Sequence, residues 1–119
     1  MENKDMELKG IKAAKLYLQR RGMEVLTDEP FECEAGAIEI IAKDEGRDEL
    51  VFVEVKTRTD AHKGFPSESV TARKRAKFER IALAYLADCE VVDIPIRFDV
   101  ISIIVLDNDR AMIRHHINA

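Results

Sequence analysis

The chain has 119 residues, 46% of them hydrophobic and 35% charged, a balance that indicates a soluble globular protein and excludes a disordered one. That length fits a single domain over residues 1–119 with a sizeable buried core. A formal net charge of −4, 6% aromatic residues and no Trp argue against whole-surface binding to nucleic acid and against a broad base-stacking platform, while leaving room for a local basic patch.

The first ten residues, MENKDMELKG, are charged and carry no apolar leader. No apolar run approaches the ~20 residues that span a bilayer, so a cytoplasmic location is expected. Cys33 and Cys89 are lone cysteines without CxxC spacing, which makes zinc improbable and free thiols the simpler reading.

Asp5 to Arg21 read as a helix, with Ile11, Ala14 and Leu18 in an apolar stripe, Tyr17 beside it and Gly22 as its stop. Met23 to Leu26 start a strand, TDEP turns, and Phe31 to Glu34 extend again. Ala37 to Ala42 read as the next strand, with Ala37, Glu39 and Ile41 on one face and Ile38 and Ile40 on the other. After the charged turn KDEGRDE, Leu50 to Thr57 alternate as a strand. Its face of Val51, Val53 and Val55 is apolar, while Glu54 and Lys56 share the opposite face. These strands suggest an antiparallel meander.

A loop containing Gly64 and Pro66 leads to Ser69 or Thr71 as the cap of a second helix that runs to about Asp88. Val70, Phe78, Ile81, Ala82, Tyr85 and Leu86 give that helix an apolar face. Ile96 to Leu106 form an interior strand, Asp107 to Asp109 turn, and Ala111 to Ile117 form a last strand. The order is α-β-β-β-α-β-β, an α/β protein with a mixed sheet flanked by helices.

The chemistry gathers on two strands. Glu39 is an acid inside the apolar segment AIEIIA. A hairpin across KDEGRDE brings it toward Glu54. Two carboxylates so placed repel each other unless a cation sits between them. Magnesium suits the place because it takes oxygen ligands and keeps several waters. Lys56 beside such a site stabilises developing negative charge or orients a water. In the absence of metal, Lys56 is placed to lean on Glu54 or Glu39. As a plain surface feature the same Glu54–Lys56 pair is worth only ~0–1 kcal/mol.

This layout resembles the PD-(D/E)XK nuclease superfamily. More narrowly, the chain is similar to the YraN-like family through GIKAAKLYLQRRG, GAIEIIA, VFVEVKTR, GFPSESV with Lys74, RFDVISI and the final INA. The resemblance covers nearly the whole chain. It implies a restriction-endonuclease-like fold with an acidic site at one edge and face of the sheet. It implies Glu39, Glu54, Lys56 and Lys74 as catalytic residues, with Glu39 and Glu54 on metal. Arg58 also matches and serves phosphate contact or loop anchoring. The family has a glutamate where this chain has Ile11, and G-E-I-D where it reads Gly36-Ala37-Ile38-Glu39. Two acids are thus absent and one aspartate has become a longer glutamate. A displacement of about 1 Å can cost ~100-fold in catalysis.

The helix segment TARKRAKFER concentrates positive charge on an acidic chain. Arg73, Lys77 and Arg80 share one face suited to phosphates. Lys74 shares the apolar stripe instead and points toward the sheet. Glu34 reads as a solvated turn acid, and Asp99 as a structural partner of Arg97 or of a nearby loop donor ahead of a metal ligand. His62, His115 and His116 receive no role. Two functions of different class stay open: a weak or degenerate magnesium-dependent endonuclease acting on DNA, or a non-catalytic nucleic-acid-binding or protein-interaction module on the same scaffold.

Overall fold

Apolar period and observed element agree along the chain except over Ala37 to Ala42. The computed structural model describes residues 3–66, 69–89 and 93–119; Ser67 and Glu68 of the GFPSESV stretch lie outside the described residues. Helix α1 covers Asn3–Arg20. Strands β1 (Met23–Val25), β2 (Phe31–Cys33), β3 (Gly36–Ile38), β4 (Ile40–Asp44) and β5 (Glu49–Arg58) follow, then one 3-10 turn at Ala61–Lys63, helix α2 (Ala72–Leu86), and strands β6 (Ile96–Val105) and β7 (Ala111–His116).

Five strands form one mixed sheet in the order β1-β4-β5-β6-β7, while β2 and β3 pair separately. Every neighbouring pair is antiparallel except β5 and β6. A parallel pair needs a long crossover, and α2 supplies it. The helices cover opposite faces. Ala14 and Leu18 of α1 pack on Ile40, Ala42, Val51, Val53, Ile101 and Ile103. Phe78, Ile81 and Ala82 of α2 pack on Ile38, Ile41, Leu50, Phe52 and Phe98. The middle of the sheet is therefore buried on both sides. Leu50 to Val53 form an unbroken buried run, and only from Glu54 onward does the strand become partly accessible. Phe52 is fully buried between Phe98 and Tyr85; truncating such a ring to Ala costs ~3–5 kcal/mol.

Local chemistry sets the ends of the elements. Gly22 takes φ 84° after α1, a backbone region where a side chain is strained, and its N–H donates to the Gln19 carbonyl at 3.1 Å. Thr71 caps α2 by accepting the Lys74 N–H at 3.1 Å. Asp107 closes the β6–β7 turn by accepting from the amides of Asp109 and Arg110. No helix among the described residues is long and apolar enough to cross a membrane.

The segment expected as one strand over Ala37 to Ala42 is two strands with a bend at Glu39. β3 belongs to the small sheet and β4 to the large one. The bend resets the alternation. Ile38 lies with Ile41 against α2, and Ile40 lies against α1, so Ile38 and Ile40 do not share a face. Ala37 is exposed opposite Glu32 in the small hairpin. A period-two reading assumes a continuous pleat, and a polar residue at the bend breaks it.

Candidate functional site

The site exists because β5 outruns β4. Their ladder pairs Glu49–Val53 with Asp44–Ile40 and stops there. One rung further would set Glu39 opposite Glu54. Instead the chain bends at Glu39, and residues 54–58 keep β6 as their ladder neighbour on the other side. Backbone amides of Glu39 and Val55 hydrogen-bond the Glu39 carboxylate. The side chain thus satisfies backbone groups on a strand edge that β4 no longer covers, which would otherwise be costly to leave unpaired.

Burial pushes the Glu39 carboxyl up to about 7 from its ordinary 4.5. The two backbone hydrogen bonds and the charge of Lys74 oppose that rise, and the negative charge of Glu54 adds to it. A carboxylate that resists ionisation beside another carboxylate is the electrostatic signature of a place where positive charge is wanted.

Lys74 supplies part of that charge. Its Nζ lies 2.7 Å from Glu54 Oε2, both side chains being half-buried. Glu54 Oε2 is nonetheless shielded from solvent without a properly directed hydrogen bond. The ammonium of Lys74 compensates this shielded anionic oxygen. Lys74 reaches this position because the Thr71 cap fixes the first turn of α2 and because its ammonium passes 5.9 Å from the Phe78 ring centre. On β6, Ser102 is fully buried with its hydroxyl unpartnered, in register with Lys56.

Next to this pair opens a cleft lined by Glu7, Ile11, Glu39, Val55, Lys56, Thr57, Arg58 and Pro66. Helix α1 walls one side. Gly10 is buried against β5 so closely that a Cβ there would lie 2.0 Å from Thr57 Oγ1. That contact holds the next residue, Ile11, at the cleft. Ile11 also packs on the α1-side core, so it presents methyl groups where the family resemblance implies a carboxylate. Glu7 is an acid on this wall that the sequence reading missed. It lies one helical turn before Ile11, and the i to i+4 spacing is the signal that puts both on one side.

The pieces fit a small hard cation only in a limited way. No group of three or more His, Cys, Asp or Glu close enough to hold a metal occurs among the described residues. Two carboxylates, one with an oxygen shielded from solvent, suit an ion such as magnesium that is commonly held by one or two carboxylates and keeps its waters.

The basic residues separate into two groups. Arg73, Lys77 and Arg80 are exposed on α2, Lys77 passing over Gly36 of the small hairpin, while Lys56 and Arg58 are half-buried in the cleft. Glu34 is exposed and lines a shallow groove with Arg80. Cys33 and Cys89 are free and half-buried.

A second charged cluster lies under α1. Arg97 contacts Asp99 through Nε at 2.9 Å and its second guanidinium nitrogen at 3.0 Å, and reaches Asp44 at 3.0 Å and Glu49 at 2.9 Å. Asp99 also meets His115 Nε2 at 2.7 Å and accepts the Asn118 N–H. The Tyr17 hydroxyl lies 3.2 Å from His115 Nδ1. Burial opposes charge here, yet hydrogen bonds from His115 and Arg97 hold the Asp99 carboxyl below its usual range. Burial likewise opposes the Arg97 cation, and its carboxylate partners outweigh it and raise its pKa further. Every lone pair of Asp99 is engaged, which makes this a structural junction of α1, β4, β5, β6 and β7. The inward course of His115 follows from its odd position in β7, paired with Ile101; the sequence reading gave it no role.

Comparison with known proteins locates the chain. The sequence profile of the uncharacterised protein family UPF0102 matches residues 11–103. A UPF0102 protein of Geobacter sulfurreducens is 40% identical over 117 residues, covering 98% of this chain and 89% of the relative. Another from Clostridioides difficile is 40% identical over 119 residues, covering 100% and 99%. One from Pelobacter propionicus is 36% identical over 118 residues, covering 99% and 84%.

Proposed function

We propose a phosphodiester-directed role on nucleic acid for this chain, which belongs to the uncharacterised protein family UPF0102. The observation that carries the reading is the meeting of Glu39, Glu54, Lys56 and Lys74 where β5 outruns β4, beside a helix that exposes Arg73, Lys77 and Arg80. The scaffold is read as that of a PD-(D/E)XK nuclease and the activity as weak magnesium-dependent cleavage of DNA, branched or damaged substrates being the first to try. Glu39 and Glu54 would hold the ion. When bound, magnesium would polarise a phosphoryl oxygen and acidify a water. Lys56 orients the attacking water or stabilises charge on the phosphate. Lys74 and Arg58 bind phosphate oxygens, and Arg73, Lys77 and Arg80 hold the flanking backbone.

A second reading, a non-catalytic nucleic-acid-binding module, is favoured by one observation: Ile11 presents methyl groups to the cleft in place of an acid. The test is fluorescence anisotropy of labelled branched and single-stranded DNA over a salt series, with a parallel cleavage assay in magnesium. The wild type is expected to bind with a steep salt dependence, the slope in log K falling by roughly 0.9 for each phosphate contact removed. Reversing Arg73, Lys77 and Arg80 to Glu should weaken binding to all sequences alike. Unchanged affinity in that triple variant removes α2 from the interface. Binding without cleavage selects the second reading.

A further inference from the structure

We propose that Lys74 is the resident counter-ion of Glu54, which a divalent cation must displace, and that displacement hands the ammonium to the bound phosphate. This rests on the reading of Glu39 and Glu54 as the cation site and deepens it by naming how the site is regulated.

Three observations converge on it. Lys74 Nζ occupies the position 2.7 Å from Glu54 Oε2, where a cation bridging the two carboxylates would itself have to approach. That oxygen is shielded from water, so the ammonium of Lys74 is what compensates its negative charge. Finally, only the stem of Lys74 is fixed. Its backbone is tied by the Thr71 cap, and about 30% of the side chain remains accessible, so the flexible ammonium can leave without unravelling α2. Glu39 feels Lys74 as well, so the same ammonium tempers both carboxylates.

The physical consequence is competition. A divalent cation at Glu54 Oε2 repels the ammonium that lies 2.7 Å from the same oxygen, so its binding there drives Lys74 away. Once expelled, the ammonium takes a phosphate as its next partner, together with Lys56 and Arg58, which line the cleft with Glu39. Without cation, Lys74 is spent on Glu54 and contributes little to binding anions. Cation and phosphate are therefore coupled through one side chain, each favouring the other's entry.

The test uses manganese alone, titrated calorimetrically into the wild type, Lys74→Met and Glu54→Gln at one pH and ionic strength. Lys74→Met is expected to bind manganese roughly tenfold more tightly than the wild type, within the ordinary range of coupling between sites. A lysine that merely braced the site would give the opposite sign, since its loss would loosen the carboxylates and weaken binding. If manganese binds in a Glu54-dependent manner but no more tightly to Lys74→Met, the counter-ion proposal fails and the cation site stands. If neither the wild type nor Lys74→Met binds manganese, both fail. A second measurement needs no variant: acylation of amines in the wild type, read by mass spectrometry. Labelling of Lys74 should rise on adding manganese. Unchanged or reduced labelling at saturating manganese overturns the proposal.

Discussion

Glu39→Gln is predicted to stabilise the fold at neutral and alkaline pH. The carboxyl sits at about 7 in the folded protein against 4.5 when unperturbed. At about 1.36 kcal/mol per unit the full penalty is about 3 kcal/mol, and the partial accessibility of the side chain reduces this to about 2 kcal/mol. The sign follows from proton counting. Below pH 4.5 both folded and unfolded chains carry the proton, and nothing is lost. Between 4.5 and about 7 the unfolded chain ionises first, so stability falls as pH rises. Above 7 the folded carboxylate is ionised and the penalty stays constant. Glutamine preserves the shape and keeps an acceptor oxygen for the backbone amides without the charge. Urea unfolding of both proteins from pH 4 to 8.5 reads the difference directly, and other titrating groups cancel in the comparison. The glutamine variant should gain about 2 kcal/mol relative to the wild type across that interval, most of it between pH 5 and 7.5. A difference that does not change with pH would falsify the claim that Glu39 is held in a site hostile to its own charge.

Other perturbations have equally definite outcomes. Asp99→Ala leaves Arg97 buried with half its partners gone and should cost about 3–5 kcal/mol in urea unfolding; because Asp99 is held below its ordinary 3.8, the stability it contributes is present above that pH and is lost as pH falls below it, so wild type and variant should converge in acid. Gly10→Ala forces a methyl group onto Thr57 Oγ1 and should lower stability by about 1–3 kcal/mol, with Thr57→Ala in the same chain recovering most of it; equal melting of the single and double variants would refute that contact. Ile11→Glu places a third carboxylate on the cleft wall and should tighten manganese binding, read by calorimetry, while the packing lost on the α1-side core lowers the melting temperature. No gain in affinity from a folded Ile11→Glu protein would show that this wall does not face the cation.

Much of the fold is legible in the sequence because burial and periodicity coincide. Ala14 and Leu18, four apart, mark the inner side of α1, and Phe78, Ile81 and Ala82 mark that of α2. The mostly apolar run of β6 from Val100 to Val105, broken only by Ser102, announces a strand covered on both faces. The bend at Glu39 is not legible, since AIEIIA alternates well enough to pass for one strand; only the register of β4 on β5 shows where pairing stops. Lys74 is readable as an inward lysine because it shares the stripe of Phe78. Its choice of Glu54 depends on how far α2 slides along the sheet, which no local pattern encodes. Glu7 and His115 escaped for a related reason: each becomes meaningful through a neighbour on a distant element, the cleft in one case and Asp99 in the other.

The most direct measurement is anomalous diffraction from crystals soaked in manganese at a concentration above the affinity found by calorimetry. A cation site built on the two strands predicts an anomalous peak in contact with Glu39 and Glu54, with Lys74 withdrawn from Glu54 Oε2. A map with no peak there, and with the Lys74–Glu54 pair still at 2.7 Å, would contradict it.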